Sequence, residues 1–128
     1  LRDGYPTIRE LGAEVVAIGT GDERYARWFV DDYRIPYPVL VDDHAEAARA
    51  ASIRRVGLLG LFHPDSFPGA ARAWRAGHRI GIGKRTDQLG ASFVVGPGDR
   101  LRYQHRDRHT ADHAPLEEIL AVLREAAA

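Results

Sequence analysis

Ala91-Ser92-Phe93-Val94-Val95-Gly96-Pro97-Gly98-Asp99-Arg100-Leu101-Arg102-Tyr103-Gln104-His105 is the stretch on which the fold turns. Ala91–Val95 and Leu101–His105 are rich in β-branched and aromatic residues, which suit a pleated, half-buried strand. Between them, Gly96-Pro97-Gly98-Asp99 supplies turn residues that neither a strand nor a helix would carry. Two strand-like runs around a four-residue Gly/Pro turn predict a β-hairpin. Downstream, Pro115 fits a helix's first turn, with Glu117 and Glu118 near the positive end of its dipole. Leu116, Ile119, Leu120 and Leu123 share one face of that helix, which is expected to run to about Arg124.

Working back toward the start, Ile8–Leu11 reads as the end of a helix closed by Gly12. Ala13–Ile18 is a run containing three β-branched residues that leads into Gly19-Thr20-Gly21, a pattern that suits a buried parallel strand. Asp22 or Thr20 can cap a helix over Glu23 to Tyr33, whose Tyr25, Trp28, Phe29 and Tyr33 form one stripe read as core packing. Ile35-Pro36-Tyr37-Pro38 must be extended, because each proline disfavours a helical predecessor. Val39-Leu40-Val41 follows as a short strand, and Asp42-Asp43 then cap an Ala-rich helix from His44 to Ala51. Residues 54–69 carry Gly57, Gly60, Pro64, Pro68 and Gly69 and read as a long loop. A helix is expected over Ala70 to Ala76, stopped by Gly77, and a second loop over Gly81, Gly83, Thr86 and Asp87. Strands mixed with crossover helices and one hairpin predict a mixed α/β sheet with helices on both faces.

The chain has 128 residues, enough for one domain, 1–128, with a core of its own. Eighteen basic and 18 acidic side chains give zero formal charge, which argues against nucleic acid or an anionic membrane surface as a partner. Seventeen of the 18 basic residues are Arg, and Lys84 is the one Lys. They are spread along the chain, so they mark a bias in residue usage and not a basic patch. The absence of Cys excludes a disulfide, a Cys zinc site, an iron–sulfur cluster and any thiol chemistry by these residues alone. The absence of Met leads us to expect a processed chain or a fragment. No apolar run approaches the roughly 20 residues of a membrane-spanning helix. Leu1–Pro6 lacks the apolar stretch of a leader, and the expected location is the cytoplasm.

Several motifs invite a chemical reading. His105, His109 and His113 recur at spacing four with Asp107 and Asp112 among them, which on a helix would align metal ligands. Because Pro115 starts the helix only after His113, a polar loop with local hydrogen bonds is favoured and no metal site is expected. Gly81-Ile-Gly-Lys-Arg-Thr86 hints at a phosphate loop, yet His78 stands where its first glycine should be and Arg85 where Ser or Thr should follow Lys84. No nucleotide or other cofactor is therefore expected. Asp42-Asp43 could act as acid and base, but helix capping explains them more simply. Ser52, Ser66 and Ser92 lack the glycines of a nucleophile elbow. Phe62 and Trp74 could border a cleft or merely cover a core edge.

Four segments together resemble the peroxiredoxin-like branch of the AhpC/TSA family. They are Leu11–Gly19, Pro36–Asp42, Gln88–Val95 with Gly98-Asp99-Arg100, and His105-Arg106 with Asp112–Pro115. Arg75–His78 also looks like that branch, and the resemblance runs nearly the full chain. It implies a thioredoxin-like mixed sheet with flanking helices, ending in a β-hairpin and a helix. It also implies redox chemistry at a Cys, often in a Cys-x-x-Cys motif between the first core strand and first helix, where the helix dipole stabilises the thiolate. That motif should fall roughly two dozen residues before Leu11, so Leu1–Glu10 is expected to be the second half of the first core helix, with the first core strand absent. The sequence departs from the family where a peroxide-assisting Arg belongs, near Gln88 or Leu89, and has no proline just before Ala91.

On this resemblance, Gly19, Thr20 and Gly21, together with Gln88, Leu89 and Gly90, would flank the redox motif. The implied function is thiol-dependent reduction of a peroxide or disulfide, with a thiol reductant, in the complete protein. These 128 residues alone would be inactive, and would be completed by a second copy or by a strand from another chain. The alternative is a Cys-free thioredoxin-like binding module that uses residues 54–87, including Trp74, as its contact surface.

Overall fold

A computed structural model gives the protein's structure and describes residues 1–55 and 88–128. The expected loop beyond Arg55, the helix over 70–76, the phosphate-loop-like segment, Phe62 and Trp74 lie outside the described residues. So does nearly all of the contact surface of the alternative reading. The fold is mixed α/β. A 3-10 turn at Arg2–Gly4 leads into α1 (Tyr5–Glu10), with Pro6 in its first turn. The next elements are β1 (Ala17–Gly19), α2 (Glu23–Tyr33), β2 (Val39–Val41) and α3 (Glu46–Ala50). Beyond the undescribed segment come β3 (Ala91–Gly96), β4 (Arg100–Arg106) and α4 (Leu116–Ala127).

The described strands form two pairs. β1 and β2 are parallel, in the register Ala17–Val39, Ile18–Leu40 and Gly19–Val41. β3 and β4 make the expected antiparallel hairpin, with a register shift at Val94/Val95 that leaves Arg102 unpaired between Tyr103 and Leu101. Gly12 has φ +76, the left-handed conformation expected of a residue that closes a helix. Ala13–Val16, read as strand from its apolar run, stays outside the ladder. β2 offers only three residues to pair with, bounded by Pro38, which has no N–H, and by Asp42 at the turn into α3. A strand's length is set by its partner as much as by its own residues.

Asp22 caps α2 as expected, its carboxylate accepting the Tyr25 N–H at 2.8 Å. Tyr25, Trp28, Phe29 and Tyr33 do meet, with ring centroids 4.9–6.3 Å apart between neighbours. They are only half-buried, and α2 has no fully buried residue, so the stripe is an aromatic cluster on the protein's flank and not core. α3 is shorter than expected because Ala45 takes a left-handed conformation, φ +54, and sets the start of the helix at Glu46.

The core among the described residues is Ile8, Ala45, Ala48, Leu89, Ile119 and Leu120. α4 covers one face of the hairpin and also touches α1. Tyr103, on that covered face, donates its hydroxyl to Glu118 Oε2 at 2.8 Å. Burial and this acceptor push the Tyr103 phenol up to about 12. The opposite face of the hairpin leaves Phe93, Val95 and Leu101 exposed. Val16, Ile18, Leu40 and Val41 are likewise exposed around the parallel pair. Among the described residues, no helix is long and apolar enough to cross a membrane.

Candidate functional site

The expected site residues fall at two strand ends. Gly19, Thr20 and Gly21 lie at the carboxyl end of β1 and lead to the N-cap of α2. The ends of parallel strands are where α/β folds place their sites. Gln88, Leu89 and Gly90 run into the start of β3. Gln88 pairs with Arg55 in an isolated antiparallel bridge, and its side-chain amide donates to the carbonyl of Arg54 at 3.1 Å. Leu89 is buried, and its N–H donates to the same carbonyl at 3.1 Å. The loop is thereby tied to the end of the α3 segment on one side and enters the core on the other.

Gly90 is the junction between this loop and a third element. Its carbonyl accepts the Asp107 N–H at 3.0 Å. A Cβ at position 90 would stand 2.6 Å from Asp107 Oδ2, so a glycine is what lets the carboxylate seat there. Asp107 belongs to the loop between β4 and α4, where the structure gathers a polar cluster. His105 Nε2 lies 3.2 Å from Asp112 Oδ1 and 3.7 Å from Asp107 Oδ1. His113 Nδ1 is 3.4 Å from Asp107 Oδ2. The side chains of Asp107 and Asp112 are only 8% and 11% exposed, so the two carboxylates are largely withdrawn from water.

The two carboxylates differ in kind. Asp112 accepts the Arg108 N–H at 2.8 Å and the Arg108 Nε–H at 3.0 Å. These donors hold the Asp112 carboxyl well below the usual range, at about 2. Burial pushes the Asp107 carboxyl the other way, upward, partly offset by His113 and His105 beside it. A depressed carboxylate adds stability above its ordinary value of 3.8, and that stability is lost as the pH falls toward about 2. Asp107 acts in the opposite sense, because its burial costs less once it is protonated. Replacing Asp112 by Asn is expected to cost about 1 kcal/mol near pH 6, since Arg108 is itself mostly exposed. The gap from the parent chain should close as the pH approaches 2. Urea midpoints at the two pH values measure it, and an equal gap at both would refute it.

Two of the three histidines, His105 and His113, reach the Asp107 carboxylate. His105 lies one residue before the end of β4, inside the cluster, and the His113 ring is exposed. The Asp112 N–H bonds back to the His109 carbonyl at 3.0 Å, turning the loop there. Among the described residues, no group of three or more His, Asp or Glu is arranged to hold a metal ion. Spacing four would align such ligands on a helix, but this segment is a loop. What the spacing missed is the pairing of His105 with both aspartates. The legible signal was Gly90 entering the neighbouring strand, opposite the end of the hairpin.

Asp42 proves to be a capping residue. Its carboxylate accepts the N–H groups of Glu46, Ala47 and Ala48 at 2.7, 2.9 and 3.4 Å.

The model of the AhpC/TSA antioxidant enzyme family matches residues 1–109. The chain belongs to that family. A mouse (Mus musculus) protein, peroxiredoxin-like 2C, is 22% identical over 125 residues, covering 91% of this chain and 55% of the mouse protein. The human (Homo sapiens) peroxiredoxin-like 2C is 36% identical over 36 residues, covering 28% of this chain and 16% of the human protein. The chain thus spans about half the length of the mouse relative. The mixed α/β architecture, with small sheets and flanking helices, is consistent with the thioredoxin-like fold that the resemblance implied.

Proposed function

We propose that these residues form the thioredoxin-like part of an antioxidant oxidoreductase whose reacting thiols lie on polypeptide outside them. The observation that carries this reading is the family match over residues 1–109 in a chain with no Cys. In the complete protein, a thiolate attacks one peroxide oxygen. The O–O bond breaks, a sulfenic acid forms, and the other oxygen leaves as water or alcohol. A second thiol condenses with the sulfenic acid, forming the S–S bond and releasing water, and a thiol reductant returns the pair to dithiol. A disulfide substrate would enter the same cycle by thiolate exchange. The loops Gly19–Gly21 and Gln88–Gly90 would flank the thiol. A reducing cytoplasm suits a thiol that must be regenerated.

The strand arrangement supports a structural half of the same reading. In the parallel ladder, Ala17 and Gly19 direct their backbone groups to β2, so Ile18 directs its N–H and C=O to the outer edge. A two-stranded sheet is marginal by itself, and the described residues form two, both with exposed apolar residues. A further strand, from another chain or from adjoining polypeptide, would join or extend them. The coding sequence adjoining Leu1 tests the chemistry. A strand followed by a Cys motif is expected there, and its absence would favour the Cys-free binding module. The purified 128 residues should consume no peroxide beyond what dithiothreitol removes alone; turnover above that would overturn the assignment of the thiols to other polypeptide. A cooperative, monomeric unfolding transition of ordinary stability at micromolar concentration would refute the need for a further strand.

A further inference from the structure

We draw no further inference here: the strongest candidate, the exposed apolar face of the β3–β4 hairpin that carries Phe93, Val95 and Leu101, carries nothing because nothing in the structure shows what covers it.

Discussion

Ile8→Ala is expected to cost about 2–5 kcal/mol, the range for deleting a buried branched side chain. Ile8 is 2% exposed and is the most completely buried large side chain among the described residues. It lies on α1, a helix of six residues that is too short to hold itself together without packing. α1 touches α4, whose Ile119 and Leu120 are the other large apolar groups of the core besides Leu89. Among the described residues few large groups lie inside, so the cavity left by three lost carbons has little of them around it to collapse inward. Domains are stable by only about 5–15 kcal/mol, so a loss of this size is a large fraction of the total. The variant should therefore show a markedly lower urea midpoint and weaker helical circular dichroism at the same concentration. Val95→Ala is the control, since Val95 is 62% exposed and should shift stability by less than about 0.5 kcal/mol. If both variants moved the midpoint equally, Ile8 would not be part of the core.

The sequence spoke clearly where structure is local. The Gly/Pro turn of the hairpin, the Asp22 cap of α2 and the Gly12 closure of α1 are each decided by a few adjacent residues, and each was legible. It spoke poorly where structure depends on a distant partner. Val15 and Val16 have the residues of a strand but no strand beside them among the described residues, because β2 ends its ladder at three residues. The aromatic stripe of α2 has the period of a buried face, yet whether such a face is buried depends on what packs against it. The polar cluster is the same case. The four-residue spacing of its histidines was visible. The fold of the loop that turns Asp107 and Asp112 toward His105 depends on Gly90, 15 residues upstream of His105 in the loop before β3. Recognition of the family survived these errors because it rested on several segments, the hairpin and the Leu11–Gly19 run foremost.

Asp42→Ala is expected to cost about 2 kcal/mol, at the upper end of the range for a lost helix cap. The usual cap satisfies one or two backbone N–H groups, whereas Asp42 accepts from three, those of Glu46, Ala47 and Ala48. Its negative charge also sits at the positive end of α3. Nothing in the helix replaces it, because the N-cap residue proper is Ala45, which has no polar side chain and holds a left-handed conformation. Ala45 and Ala48 are both core residues, so loosening the first turn of α3 disturbs the packing as well as the hydrogen bonds. The backbone of Asp42 has a separate task. Its N–H donates to the Gly19 carbonyl at 2.8 Å and closes the β1–β2 ladder, a bond that alanine keeps. The two roles predict a divided response in amide exchange. Protection should fall at Glu46, Ala47 and Ala48 beyond the global loss, while the amide at position 42 follows global stability alone. Asp42→Asn, which retains one acceptor oxygen but no charge, should fall between the parent and the alanine variant. A uniform loss of protection across β1, β2 and α3 would mean instead that the carboxylate supports the parallel pair and the helix as one unit.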